Sequence, residues 1–124
     1  MNAIEQARQA YAPTQIAVRT ARAVEAQLLT QITTRLRQAS EGGLRSFSEL
    51  ASVIHDNRRV WTTLAVSVAD RDNQLPSDLR ASLFYLAEFV ERHSAAVLRG
   101  DAEINPLIDI NSAIIRGLNG QVPV

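Results

Sequence analysis

Apolar side chains recur every three or four residues along four stretches of this chain, and glycine or proline stands between the stretches. This spacing places apolar side chains on one face of an α-helix, whereas a half-buried strand would need strict alternation. Signals for helix ends agree, because Gly42, Gly43 and Gly100 follow periodic stretches while Pro76 and Pro106 open new ones. The sequence therefore predicts an all-α fold.

Four helices follow from these signals. Thr20 can cap the first helix, and Ser46 and Glu49 have the spacing of a capping box at the start of the second. The predicted helices cover about residues 21–40, 46–69, 76–99 and 105–118. Their apolar stripes comprise Val24, Leu28, Ile32 and Leu36; Phe47, Leu50, Ile54, Trp61, Leu64, Ala65 and Val68; Leu79, Leu83, Leu86, Val90, His93 and Val97; and Leu107, Ile110, Ile114 and Leu118.

Amphipathic helices joined by short loops are typical of a bundle. The 124 residues suit one domain, so we expect a single four-helix bundle-like domain with a short N-terminal helical arm. Residues 1–18 are predicted to form the arm and a connector, residues 20–118 the bundle, and residues 119–124 a tail.

The composition argues against an enzyme. The chain has no cysteine, no lysine and only two histidines, so a thiolate, a phosphate-loop lysine and a histidine-rich metal site are all excluded. His55 and Asp56 are neighbours on a helix, where their side chains diverge and cannot form an orienting pair. We expect no catalytic residue, no bound metal and no cofactor.

Polar residues on the apolar stripes are predicted to be structural. Asn57 falls between Ile54 and Trp61 on the second helix, and Asn111 falls on the apolar face of the fourth. Buried amides need hydrogen-bond partners, so both are expected to fix the helix register rather than to bind a ligand. We assign structural roles to Trp61 and to His93, which is predicted to be packed and hydrogen-bonded.

Some apolar residues point away from the stripes. Phe84 and Tyr85 project to opposite sides of the third helix, and the fourth helix is apolar over about 160°. Either the N-terminal arm or the first helix covers these side chains, or a partner helix does. The candidate partner-binding residues are Arg58, Phe84, Tyr85, Phe89, Ile108 and Ile115.

The charge pattern narrows the choice of partner. Thirteen arginines balance thirteen acidic residues, which is far from the basic footprint of a dedicated DNA-binding protein. No apolar run approaches the length of a membrane span, and no secretion signal is seen, so we expect a cytoplasmic protein. Arg58 and Arg59 form the only arginine doublet and could contact RNA phosphates, although no aromatic stacking platform accompanies them.

Several short motifs between residues 57 and 118 resemble, in order and spacing, the pattern of the FlaF family of flagellar biosynthesis regulators of alphaproteobacteria. Tyr11, Arg22, Glu25 and Leu36 extend the resemblance. The matching runs are Asn57-Arg58-Arg59-Val60-Trp61, Asn73-Gln74-Leu75-Pro76, Leu79-Arg80-Ala81, His93-Ser94, Val97-Leu98-Arg99-Gly100 and Leu107-Ile108-Asp109-Ile110-Asn111 followed by Ile114.

The resemblance implies a small helical cytoplasmic protein without enzymatic activity, which binds flagellin as an export chaperone and promotes its synthesis and secretion. It also implies a functional link to the regulator FlbT, which acts on flagellin messenger RNA. Terminal helical segments of flagellin are the expected ligand, because segments that fold on binding suit a bundle with spare apolar surface. The alternative is a post-transcriptional regulator that acts on the messenger RNA directly or through FlbT.

Overall fold

The computed structural model describes residues 26–43 and 47–118. Within these ranges the secondary structure is helical, with four helices and no strand, so the predicted all-α, bundle-like fold is confirmed. We number the helices α1, seen over residues 26–38, α2, Phe47–Ala69, α3, Ser77–Leu98, and α4, Asn105–Leu118. The predicted arm at 1–18, the tail at 119–124 and the capping residues Thr20 and Ser46 lie outside the described residues.

The helix bounds that lie within the described residues agree with the predicted ones to within about two residues, and the predicted start of the first helix at about residue 21 lies outside them. α1 passes into a wide turn of π type at Ala39–Gly43, in which Gly42 has a φ of 81°. Pro76, predicted as the first helical residue, instead precedes α3, and Asn105, predicted as a cap, is the first residue of α4. Residues 70–76 form the predicted loop between α2 and α3.

The helices α2 and α3 form an antiparallel hairpin. Near the connecting loop, Arg80 donates from Nε to the carbonyl oxygen of Val68 at 2.8 Å, and further from the loop Arg58 pairs with Glu91. Contacts from α1 reach both α2 and α4, because Arg35 pairs with Asp56 and the guanidinium of Arg37 donates to the hydroxyl of Ser112. The four helices therefore enclose one core, formed by Ile32, Leu36, Val53, Ile54, Trp61, Ala87, Val90, Val97, Leu107 and Ile108.

Among the predicted stripe residues whose side chains the structure describes, three are exposed instead. Leu28 is 45% exposed because successive four-residue steps drift by about 40° each around a helix, and the buried face of α1 alternates three- and four-residue steps through Leu29, Ile32 and Leu36. Phe47 and Leu79 lie in the first turns of α2 and α3, where a helix has fewer neighbours, and are 64% and 44% exposed.

A Schellman motif ends α3. Gly100 has a φ of 81°, its N–H donates to the carbonyl of Val97 at 3.0 Å, and the N–H of Asp101 donates to the carbonyl of Ala96 at 2.9 Å. Both bonds satisfy carbonyls that the helix itself leaves open. The left-handed conformation at Gly100 sets the direction in which the chain leaves for α4.

We expect Gly100→Ala to lower the free energy of unfolding by about 1 kcal/mol, because a β-carbon disfavours the left-handed conformation by about that amount. No heavy atom lies within 4 Å of the position of the added carbon, so backbone strain is the only cost. The matched control is Gly117→Ala inside α4, which also has open space and should be neutral or stabilise by up to about 1 kcal/mol. Urea denaturation of both variants, followed by circular dichroism, checks the difference; equal effects would contradict the assigned strain.

Candidate functional site

A groove of about 620 Å³ runs between α2 and α3 on the surface of the bundle. We call it the α2–α3 groove. Its lining residues are Arg58, Trp61, Thr62, Ala65, Val66 and Ala69 from α2, and Phe84, Ala87, Glu88, Val90, Glu91 and Arg92 from α3.

The walls of this groove are apolar and partly uncovered. Val66 on α2 is 68% exposed and Phe84 on α3 is 43% exposed, both facing the groove. The other residues that α2 contributes along this stretch, Thr62, Ala65 and Ala69, are small and leave a trough beside the Phe84 ring. A trough of small residues next to a large exposed apolar side chain can accept the apolar face of a helix.

The floor of the groove contains Trp61, which belongs to a buried chain of hydrogen bonds. The indole N–H of Trp61 donates to Oδ1 of Asn111 at 2.8 Å, and Nδ2 of Asn111 donates to Oδ1 of Asn57 at 2.8 Å. Both asparagines are 0% exposed and Trp61 is 1% exposed. The three side chains fix α4 on α2, and with α4 in place the indole is held beneath the groove.

Two buried polar side-chain atoms have no partner in the described structure: Nδ2 of Asn57 and the hydroxyl of Ser94, which is itself fully buried on α3. Unsatisfied buried groups of this kind lower stability relative to an all-apolar core. Asn57, predicted as a structural residue, therefore has only its carbonyl oxygen satisfied.

An ion pair closes one end of the groove. The guanidinium of Arg58 contacts the carboxylate of Glu91 through two nitrogens, with Nε to Oε2 at 3.0 Å. This hydrogen bond lowers the pKa of the Glu91 carboxyl and raises the pKa of Arg58, against the opposing effect of desolvation. Arg58, predicted as a partner-binding residue, lines the groove, but its charge is matched within the bundle.

The remaining predicted site residues lie elsewhere. Tyr85 is 63% exposed but does not line the groove. Phe89 is partly buried and stacks on His93, with ring centroids 5.2 Å apart, and Nε2 of His93 donates to the carbonyl oxygen of Glu103 at 2.7 Å. His93 is thus partly buried and hydrogen-bonded to the backbone.

The fourth helix has less spare surface than its apolar arc predicts. Ile108, predicted to contact a partner, is 8% exposed and belongs to the core. Ile108 is therefore not available on the surface to contact a partner. The physical reason is that α4 buries more of its apolar arc than contact with one neighbouring helix would require. Ile115 is partly buried and lies outside the α2–α3 groove.

The sequence interpretation missed Val66 and Glu88 as groove residues. Val66 lies off the apolar stripe of α2, and an exposed valine on a polar face is common enough to carry little signal. The spacing of Thr62, Ala65 and Ala69, which places small residues on one side of α2, was the available signal for a trough.

Residues 26–43 and 47–118 contain no group of three or more histidine, aspartate or glutamate side chains arranged to hold a metal ion. Among the same residues, no helix combines the length and the apolar character that crossing a membrane requires.

Comparison with protein families gives a match to the family described as flagellar protein FlaF, which aligns with residues 7–118. The aligned range includes α2, α3 and α4 entirely, and with them both walls and the floor of the α2–α3 groove. No curated protein and no solved structure matched the chain.

Proposed function

The chain belongs to the FlaF family of flagellar proteins, and from that premise we propose that it binds flagellin in the α2–α3 groove and acts as an export chaperone that promotes flagellin synthesis and secretion. The observation that carries the proposal is the pair of exposed apolar side chains, Val66 and Phe84, on either side of a trough of small residues. Such a trough suits an amphipathic helix, which is the form that terminal segments of flagellin take when they are buried.

The chemistry of the groove fits reversible binding. Its apolar surface is modest, so a segment that must also fold on binding would lose part of the interaction energy to ordering. A chaperone for export needs this balance, because the subunit must be shielded from aggregation and later released. We propose that the protein works in the cytoplasm and without catalysis, cofactor or metal.

Regulation is proposed to pass through protein contacts with FlbT rather than through direct contact with messenger RNA. Of the two arginines expected to contact RNA, Arg58 is engaged by Glu91, and the α2–α3 groove beside it carries two acidic and two basic side chains. A phosphate backbone would need an excess of positive charge there. The proposal therefore assigns the α2–α3 groove to a protein ligand.

We expect Phe84→Ser to weaken flagellin binding about 30-fold, which corresponds to about 2 kcal/mol for a central apolar anchor. Leu79→Ser is the matched control, because Leu79 is also on α3 and is 44% exposed, but lies outside the groove. Titration of purified flagellin monomer, followed by calorimetry and by the fluorescence of the single tryptophan at the groove floor, measures both variants.

Two outcomes would contradict the proposal. The first is equal flagellin affinity for both variants and for the unsubstituted protein, which would move the binding site away from the groove. The second is the absence of any complex at about 10 µM protein. Binding of micromolar strength, which corresponds to about 8 kcal/mol, would give a detectable complex at that concentration. RNA binding that weakens steeply with salt and is reduced by Arg58→Ala and Arg59→Ala would favour the alternative regulator.

A further inference from the structure

A second groove lies on the other flank of α2. It has a volume of about 390 Å³, and we call it the α1–α2 groove. Its residues on α2 point about 150° away from those of the α2–α3 groove, at about 100° per residue around the helix. Its lining includes Leu28 and Arg35 from α1, Asp56, Arg59 and Leu64 from α2, and Ile114 from α4.

The lining of the α1–α2 groove is mainly apolar. Leu28 is 45% exposed, so the described helices leave much of this large apolar side chain uncovered. Leu64 and Ile114 are partly buried and pack against the core from the same side. The volume falls in the range of clefts that hold ligands, and it suits a short row of apolar side chains.

The charged residues of this groove leave one positive charge in excess, because two arginines, Arg35 and Arg59, line it together with a single acidic residue. Over residues 26–38, α1 carries two arginines and no acidic residue, and α2 adds Arg59 to the groove. The one acidic residue that lines it, Asp56, is held by Arg35 at 2.7 Å. Within residues 26–43 and 47–118 no ion pair involves Arg59, so its charge is available to a ligand.

We propose that the α1–α2 groove docks an acidic amphipathic helix of a partner protein. Apolar side chains at spacings of three and four residues would enter the groove, while carboxylates beside them would meet the unpaired charge of Arg59. The α2–α3 groove differs, because its charged residues include as many acids as bases. The protein can then hold two helical partners at once, one on each flank of α2, and this second site does not depend on the identity of the first ligand.

The experiment uses two synthetic helical peptides with the same leucine and alanine face. One has glutamate beside the apolar face and the other has lysine at the same positions. We expect the full-length protein to bind the glutamate peptide at least 10-fold more tightly, in fluorescence anisotropy at moderate salt. Arg59→Glu should remove this preference and Leu28→Ser should weaken binding several-fold, and both variants should fold because the two side chains are exposed.

Controls separate the groove from general effects of charge and from the other groove. Arg71→Glu makes the same change of net charge on an exposed residue of the loop after α2 and should leave the preference for glutamate intact. Phe84→Ser, in the α2–α3 groove, should leave affinity for the glutamate peptide unchanged.

Four results would overturn the proposal: no binding of either peptide, equal binding of both, equal sensitivity to Arg71→Glu and Arg59→Glu, or a loss of affinity with Phe84→Ser as large as with Leu28→Ser. A dimer in sedimentation that Leu28→Ser dissociates would also overturn it, because the groove would then be occupied by a second copy of this chain.

Discussion

Trp61→Ala is expected to lower the free energy of unfolding by about 4 kcal/mol, which is a large fraction of the stability of a domain of this size. The indole is 1% exposed and lies among the core residues of α2, α3 and α4. Truncation leaves a large cavity and also leaves Oδ1 of Asn111 without its donor. Urea denaturation followed by far-ultraviolet circular dichroism measures the effect, because the variant has no tryptophan.

Two variants separate the contributions at this position. Trp61→Phe keeps most of the ring volume but loses the indole N–H, so its cost should fall well below that of alanine and should report mainly on the bond to Asn111. Val66→Ala, on the same helix and 68% exposed, should change stability by less than about 0.5 kcal/mol. A Trp61→Ala variant as stable as Val66→Ala would show that Trp61 does not hold the bundle together.

The fold could be predicted from local patterns because its helices are amphipathic and end at strong signals. The Gly100 signal is an example, since a left-handed residue is needed where α3 ends and glycine adopts that conformation without strain. The rotation of each helix was less predictable. The sequence predicts Leu28 in the core because a regular four-residue step resembles one face of a helix, whereas such steps rotate steadily around α1.

The candidate site depends on relations between helices that no single helix encodes. The outward direction of Phe84 followed from α3 alone, but its position opposite Val66 depends on how α2 and α3 are aligned. The pairing of Arg58 with Glu91 depends on the same alignment. This ion pair neutralises a charge that the sequence predicts to contact a partner. Ile108 is buried rather than exposed for a similar reason, because the packing around α4 decides how much of the apolar arc of that helix is buried.

In the buried hydrogen-bond chain, too, some features could be predicted from a single helix and others depend on how two helices pack together. Burial of Asn57 and of Asn111 could each be predicted from one helix, and both are 0% exposed. Their connection through a single row of bonds to Trp61 could not, because the partners are 50 and 54 residues apart in sequence and meet only in one register of α2 against α4. Polar side chains that can be satisfied in only one arrangement are a known means of selecting that arrangement.

Asn111→Leu is therefore expected to be destabilising by about 3 kcal/mol, even though it adds apolar surface to a buried position. It removes the acceptor of the Trp61 indole N–H and the donor to Oδ1 of Asn57, and Nδ2 of Asn57 already has no partner. Two further polar groups then lie in the core without hydrogen bonds, each at a cost of about 1 to 3 kcal/mol. Chemical denaturation of the variant measures the loss.

The triple variant Asn57→Leu, Trp61→Phe and Asn111→Leu tests the explanation, because it removes all three polar side-chain groups of the buried hydrogen-bond chain together. If unsatisfied polar groups cause the loss, the triple variant should be more stable than Asn111→Leu alone, despite carrying two more core substitutions. If the hydrogen bonds also select the register of α4, the amide nuclear magnetic resonance spectrum of the triple variant should show more than one conformation. A triple variant less stable than the single one would instead make shape complementarity around Trp61, rather than hydrogen bonding, the main determinant of how α4 packs on α2.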